Sequence, residues 1–227
     1  MNGATRVLVC DDEPQILRAL RVILRDAGYE AVTASTGEEA LDRAAVKPPA
    51  AAILDLMLPD IDGVEVTKRL REWSEMPIIV LSAVGEEEAK VGALAAGADD
   101  YVTKPFGPPE LVARLEAVLR RAKPETSEPV IAADGLEVDL VARAVRRDGE
   151  EVHLTPTEFE LLRYLMRNER VVLSKSQILE RVWKYDFQGR SNIVELYIGY
   201  LRKKVDAVEP HLIHTIRGVG YVLRAPR

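Results

Sequence analysis

The stretch Val7-Leu-Val-Cys-Asp-Asp-Glu-Pro-Gln-Ile-Leu-Arg-Ala-Leu-Arg-Val-Ile-Leu-Arg-Asp-Ala-Gly28 sets the grammar of the first half of the chain. Val7-Cys10 is a short apolar run that ends on two carboxylates, Asp11 and Asp12. Pro14-Ala27 then places Ile16, Leu17, Leu20, Ile23 and Leu24 at helical spacing, and Gly28 stops the helix. The same alternation repeats as far as Arg121. Strands are predicted at Val7-Cys10, Ala31-Ala34, Ala51-Leu54, Ile78-Leu81 and Tyr101-Val102, and the later helices at Gly37-Val46, Val64-Trp73, Glu86-Ala96 and Pro109-Ala122. Five strand-then-helix units in 116 residues imply right-handed crossovers, hence an α/β doubly wound, five-stranded parallel sheet covered by helices. In such a sheet the ligand site lies beyond the carboxyl ends of the strands, where the strand order reverses.

Those strand ends carry Asp11 and Asp12 after the first, Asp55 after the third, Ser82 after the fourth and Lys104 after the fifth. Each is unremarkable singly, and Asp11 and Asp12 read equally well as acids at a helix N-terminus. Their joint placement is the informative feature. Three crowded carboxylates repel one another, and Mg²⁺, a hard cation that prefers oxygen ligands, is their natural complement. A lysine and a hydroxyl facing the same cluster suit a phosphoryl group on a carboxylate, so an acyl phosphate on Asp55 is expected. Cys10, in the strand before the acids, reads as a small buried hydrophobe.

The chain has 227 residues, room for two cores, with 47% hydrophobic and 30% charged residues, which excludes disordered, collagen-like and disulfide-scaffold classes. The longest uncharged stretch, Met76 to Gly85, is ten residues, against about 20 for a membrane span. The N-terminus lacks the pattern of a secretory signal, and a single cysteine closes no intrachain disulfide. A cytoplasmic protein without a membrane segment is therefore expected. The net charge of −6 is divided unevenly: −7 over residues 1-122 and +1 over 123-227, with +5 in the last 47 residues. A basic region on an acidic chain is a weak pointer to nucleic acid.

The segment 123-129, Lys-Pro-Glu-Thr-Ser-Glu-Pro, reads as a linker between a first domain, 1-122, and a second, 130-227. Beyond it the pattern predicts strands at Leu136-Asp139, Ala142-Arg147 and Val152-Leu154, with Asp148-Gly149 as a hairpin turn. Three helices follow. The first opens with a capping box at Thr155-Pro156-Thr157-Glu158, the second spans Ser174-Trp183, and the third spans Asn192-Val205 behind a cap at Ser191. A closing hairpin, His214-Ile216 and Tyr221-Leu223, turns at Arg217-Gly-Val-Gly220. Three helices and a hairpin compose a winged helix-turn-helix, whose second helix of the pair enters the major groove of DNA. Helix 192-205 buries Val194, Ile198, Leu201 and Val205, leaving Asn192, Glu195, Gly199, Tyr200, Arg202 and Lys203 on its other face. Asn192 suits adenine, Glu195 suits cytosine N4, and Arg202 and Lys203 suit phosphate. Arg217 on the wing suits a narrow minor groove.

Residues 6-121 resemble the receiver domain of two-component response regulators. The strings that carry the resemblance are Val7 to Glu13, Ile53-Leu-Asp-Leu-Met-Leu-Pro-Asp-Ile-Asp-Gly63, Pro77-Ile-Ile-Val-Leu-Ser-Ala83 and Gly97-Ala-Asp-Asp-Tyr-Val-Thr-Lys-Pro-Phe106. The resemblance implies that Asp55 is the phosphoacceptor, that Asp11, Asp12 and the Met57 carbonyl join it in the Mg²⁺ site, and that Ser82 and Lys104 contact the phosphate. It also implies that Tyr101 is an aromatic switch, that Lys104-Pro105 is cis, and that a sensor histidine kinase is the partner. Leu154 to Leu162 with Thr215-Ile-Arg-Gly-Val-Gly-Tyr221 resembles the OmpR/PhoB effector domain across residues 130-225. That subfamily implies an activated homodimer through Lys90, Leu94, Asp99, Asp100, Glu110, Arg114 and Arg121. The pairs crossing the twofold would be Lys90 with Glu110, Asp100 with Arg114 and Asp99 with Arg121, against the plainer alternative of solvated charge within one chain.

Trp183, Tyr197, Thr215 and Tyr221 match backbone-contacting positions of the effector family, although each aromatic suits a core equally. Loop 184-190 matches a segment facing RNA polymerase. Gly199 and Tyr200 depart from relatives that carry arginines there, so base readout by arginine does not transfer. The segment Asp12 to Leu20 also resembles potassium-responsive regulators. Two rival readings remain open. An aspartyl-phosphate hydrolase would need a second acid two residues after Asp55, where Met57 stands, and a constitutive DNA-binding regulator would use the first domain only to dimerise. The histidines 153, 211 and 214 have no metal-ligand spacing.

Overall fold

A computed structural model describes residues 4–83, 87–122, 130–183, 192–207, 209 and 211–224. The chain divides into two compact units, Met1–Ala122 and Lys123–Arg227. The segments 123–129 and 184–190 and the cap Ser191 lie outside the described residues. No described helix is long and apolar enough to cross a membrane.

The first unit alternates β1 (Thr5–Cys10), α1 (Pro14–Asp26), β2 (Tyr29–Ala34), α2 (Gly37–Val46), β3 (Ala51–Asp55), α3 (Gly63–Arg71), β4 (Ile78–Ser82), α4 (Glu87–Ala95), β5 (Asp100–Thr103) and α5 (Pro108–Arg121). The strands form one parallel sheet in the order β2-β1-β3-β4-β5, so the order reverses between β1 and β3. Period-two alternation sends Val7, Val9, Ile53, Ile79 and Leu81 into one core with Leu20 and Leu24 of α1 and Leu111, Leu115 and Val118 of α5. Helices α2, α3 and α4 pack in sequence on one another, and Ala40, Ala44, Val66 and Leu70 are fully buried. Helix α3 ends at Arg71 rather than Trp73, and Trp73 is half exposed, so extending the helix would bury little.

The second unit opens with an antiparallel sheet of β6 (Val130–Ala133), β7 (Leu136–Asp139), β8 (Ala144–Arg147) and β9 (Glu150–Glu151). Strand β6 was not predicted. It is joined to β7 by Asp134-Gly135, whose φ values of 44° and 77° mark the same mirror-image turn as Asp148-Gly149 at 51° and 87°. The two-residue turn at 148-149 pairs Arg147 with Glu150 directly. The last strand therefore sits at 150–151 rather than at the predicted 152–154, where only Val152 continues the ladder, to Val145.

Helix α6 (Pro156–Arg167) carries the expected capping box between Thr155 and Glu158. The next helix begins as expected at the Ser174 cap, as α7 (Lys175–Ile178), but it widens into a π turn at Leu179–Trp183 that leaves Val182 and Trp183 buried. Helix α8 (Asn192–Val205) buries the four predicted residues together with Ile193 and Tyr197. The closing hairpin is β11 (Ile213–Ile216) and β12 (Gly220–Leu223), and β12 also pairs with an unpredicted two-residue strand, β10 (Leu173–Ser174).

Candidate functional site

The carboxyl ends of β1 and β3 flank the reversal of strand order, and this is where the acids gather. Oxygens from Asp11, Asp12 and Asp55 lie within 4.8 Å of one another, with Asp11 and Asp55 buried and Asp12 exposed. The Lys104 ammonium, delivered by the end of β5, donates to Asp11 Oδ2 at 2.8 Å and to Asp55 Oδ2 at 3.0 Å. Glu13 Oε1 stands 3.9 Å away. The backbone of β5 is registered by Lys104 N–H donating to the Ser82 carbonyl, and the Lys104–Pro105 peptide is cis.

Burial pushes the Asp55 carboxyl up from its ordinary value, although hydrogen bonding and charge from Lys104 oppose it. The same burial pulls on Lys104, but the hydrogen bonds it donates to Asp11 and Asp55 outweigh it and the ammonium is stabilised. The Ser82 hydroxyl is fully buried and has no hydrogen-bond partner among the described residues. A buried hydroxyl without a partner costs about 1–3 kcal/mol, a cost that an incoming anion able to accept from it would remove. The oxygen-only donor set and the buried hydroxyl together fit a divalent cation beside a phosphoryl group.

The loop after Asp55 is held at three points. Gly63 N–H donates to the Leu56 carbonyl at 2.9 Å, and Asp62 caps α3 through Glu65 N–H. Asp60 reaches across to the first turn of α2, accepting from Gly37 N–H at 2.8 Å and Glu38 N–H at 2.9 Å. No local signal marks Asp60 as a cap, because its partners are 23 and 22 residues away. Desolvation pushes its carboxyl up, but the backbone N–H groups of Glu38, Gly37, Ile61 and Asp60 together outweigh it and hold the carboxyl at about 2. A depressed carboxyl stabilises the fold above its unfolded value of 3.8 and loses that contribution as the pH falls through about 2. Asp60→Ala is therefore expected to cost about 0.5–2 kcal/mol in urea unfolding near neutral pH, the usual range for a helix cap. The gap to wild type should close as the pH falls from 3.8 toward about 2, and a gap independent of pH would refute the cap.

The residues expected on the α4–β5–α5 face are arranged by contacts within one chain. Arg114 pairs with Asp100 at 3.2 Å and with Glu110 at 2.8 Å, and Arg121 stands 4.0 Å from Asp100. The Asp99 carboxylate is taken by Arg71 and by Ile78 N–H, each at 2.9 Å, while its carbonyl accepts from Arg121. Asp99, Asp100, Arg114 and Arg121 are buried rather than solvated, whereas Glu110 is exposed, and burial pushes Asp100 up against the pull of Arg114 and Arg121. Tyr101 is buried, with the Lys90 ammonium 5.6 Å from its ring centroid, and Leu94 is buried as well.

In the second unit Asn192, Lys203, Thr215 and Arg217 are exposed and Tyr200 is half-buried. Trp183 and Tyr197 pack edge-to-face at 5.3 Å and are buried, as is Tyr221. Gly199 faces open space: a Cβ added there meets nothing within 4 Å. Two charged residues of the α8 outer face are engaged internally, which sequence reading missed. Glu195 pairs with Lys175 at the start of α7, and Arg202 grips the hairpin.

Known proteins agree with both halves. Residues 7–116 match the response regulator receiver domain, and residues 149–223 match the C-terminal domain of transcriptional regulatory proteins. The probable transcriptional regulatory protein TcrX of Mycobacterium tuberculosis is 49% identical over 224 residues, covering 97% of this chain and 96% of its own. This chain is a response regulator of the OmpR/PhoB type. Transcriptional regulatory protein KdpE of the same species is 48% identical over 225 residues, covering 97% of this chain and 100% of its own. Among solved structures, a RitR mutant superposes with a TM-score of 0.78 at 29% identity over 96% of this chain and 98% of its own. The OmpR/PhoB homologue DrrB of Thermotoga maritima does so with 0.53 at 32% over 98% of this chain and 100% of its own. The response regulator is thus a receiver fold followed by a DNA-binding domain, a regulator of transcription rather than an enzyme in the usual sense.

Proposed function

We propose that this response regulator takes a phosphoryl group onto Asp55 from a sensor histidine kinase in the cytoplasm, and that the modified form dimerises and binds promoter DNA. The observation that carries this is the Lys104 ammonium shared between two buried carboxylates, with the unpartnered Ser82 hydroxyl on the neighbouring strand. An oxygen of Asp55 attacks the phosphorus of the phosphohistidine; the O–P bond forms, the P–N bond breaks, and the imidazole leaves with the electron pair. Lys104 neutralises charge on the transferred group, and the Ser82 hydroxyl donates a hydrogen bond to a phosphoryl oxygen. Asp11, Asp12, Asp55 and the Met57 carbonyl would hold Mg²⁺, which when bound supplies charge neutralisation for the transfer. The same groups support slow self-phosphorylation from small acyl phosphates and slow self-dephosphorylation.

Drawing Ser82 inward is proposed to let Tyr101 turn and to reshape the face that holds Lys90, Leu94, Asp99, Asp100, Glu110, Arg114 and Arg121 into a twofold interface. Exchange of the Asp100–Arg114 pair from one chain to the other fits that change. The Asp99 carboxylate stays with Arg71 in this scheme. Asn192, Tyr200 and Lys203 on α8 and Thr215 and Arg217 on the wing are the proposed DNA-facing residues. Glu195, Gly199 and Arg202 flank them, and the buried Trp183, Tyr197 and Tyr221 support them. Loop 184–190 is proposed to face RNA polymerase.

The test is phosphoryl uptake from acetyl phosphate, with and without Mg²⁺, read by intact mass while oligomer size is followed in the same samples. Wild type is expected to gain one phosphoryl group only with Mg²⁺ and to become dimeric, and Asp55→Asn to do neither. Dimer and DNA binding that are complete without any modification would support the constitutive regulator instead.

A further inference from the structure

The Arg202 side chain was expected to lie free for a DNA phosphate, and it does not. Its Nε and Nη2 both donate to the Ile213 carbonyl, at 3.2 Å and 3.0 Å, and Nη2 also donates to the Thr215 hydroxyl at 2.8 Å. Its guanidinium carbon lies 6.0 Å from the Tyr221 ring centroid, and Tyr221 is the cross-strand partner of Thr215. One side chain of α8 thus touches both strands of the wing. Strand β11 is the edge of its sheet, and edge strands present backbone groups that need partners. Asp206, next after α8, accepts from Leu212 N–H at 2.6 Å and Ile213 N–H at 3.0 Å. Both backbone groups of Ile213 are therefore satisfied by side chains at the C-terminal end of α8. A lysine cannot reproduce the arginine grip, because a point ammonium lacks the planar fork that reaches a carbonyl and a hydroxyl together.

We infer that Arg202 is a positioning residue, not a phosphate contact: it sets the wing against α8 so that Arg217 at the turn reaches DNA. The inference rests on the DNA-binding reading above only for its last step. The wing position itself is measurable without DNA. Spin labels on Ala207→Cys and Val219→Cys, both exposed in wild type, report the separation of the α8 end from the wing tip in the full chain. The native Cys10 is buried, and burial pushes its thiol up to about 12, which keeps it out of the labelling chemistry. The distance distribution is expected to broaden in Arg202→Ala and equally in Arg202→Lys, and to stay as in wild type in Arg217→Ala.

Binding to a random-sequence 30-base-pair duplex, measured by anisotropy from about 50 to about 200 mM salt, then separates position from contact. Arg217→Ala should weaken binding roughly five- to tenfold and lower the salt slope by about 1, and both Arg202 variants should reproduce that loss. The double variant Arg202→Ala/Arg217→Ala should bind no more weakly than Arg202→Ala alone, since the two act through one contact. An unchanged label distance in both Arg202 variants would overturn the inference. So would near-normal binding by Arg202→Lys together with additive losses and a slope lowered by about 2 in the double variant. A wild type that binds no duplex, with label distances responding as stated, would remove the DNA-binding reading and leave the positioning role standing.

Discussion

Lys104→Met is expected to lose stability in the absence of divalent cations and to recover most of it when Mg²⁺ is added. Lys104 is mostly buried and is the cation hydrogen-bonded to both Asp11 and Asp55, whose side chains are 0% and 8% exposed. Removing it leaves two carboxylates facing each other in a site that water scarcely reaches. Removing one member of a buried ion pair costs about 3–5 kcal/mol, so a loss near the lower end of that range is expected at neutral pH, given the exposed Asp12 rim. Methionine keeps the apolar stem and approximate volume, so the loss reports charge rather than a cavity.

Two conditions should shrink the deficit. Millimolar Mg²⁺ supplies positive charge to the same carboxylates. Lower pH does so by protonation, because a carboxyl already pushed up by burial rises further when its lysine is removed. A group whose folded titration point lies above its unfolded value of 3.8 favours folding progressively as the pH falls through that folded value, so the variant gains on wild type as the solution is acidified. Urea unfolding at two pH values, with and without Mg²⁺, checks this. Equal stability of the variant and wild type in the metal-free state would show that the acids do not depend on Lys104.

Gly220→Ala is expected to be the most damaging small substitution in the second unit. A Cβ there would stand 1.9 Å from the Leu173 carbonyl oxygen, 2.8 Å from its carbon and 2.9 Å from Ser174 Cα. All three are backbone atoms of β10, so no side chain can rotate away. The strand pair Ser174–Gly220 must open, taking with it the buried Leu173 and the residue that caps α7. Overpacking of this kind costs about 3 kcal/mol, which in a unit of about 100 residues lowers Tm by roughly 10–20 °C. Gly199→Ala provides the contrast: its Cβ meets nothing, so helix propensity alone predicts a gain of up to about 1 kcal/mol. Thermal unfolding of both variants decides the matter, and a Gly220→Ala protein that melts with wild type would contradict the β10–β12 pairing.

Much of the site was legible in the sequence because parallel sheets obey a local rule. A β-then-α alternation places the residue after each strand at one edge, so Asp11, Asp12, Asp55, Ser82 and Lys104 could be grouped without coordinates. Capping at Thr155 and Ser174 was legible for the same reason: donor and acceptor are three residues apart. Strand β6 was not, since Val130-Ile-Ala-Ala133 has no apolar-polar alternation, nor was β10, whose two residues are too few to show any period.

Spacing along the chain was enough for the strand-helix order of the receiver, for the gathering of Asp11, Asp12, Asp55 and Lys104 at one sheet edge, and for the buried face of α8. How the charges of both units are paired depends instead on contacts between distant parts of the chain. Arg71 takes Asp99 from 28 residues away, Asp60 caps α2 from 23, Lys175 holds Glu195 from 20, and Arg202 holds the wing from 11 and 13. A guanidinium or carboxylate is compatible with many partners, and which one it meets is settled by packing that brings distant backbone together, a quantity that no local period encodes.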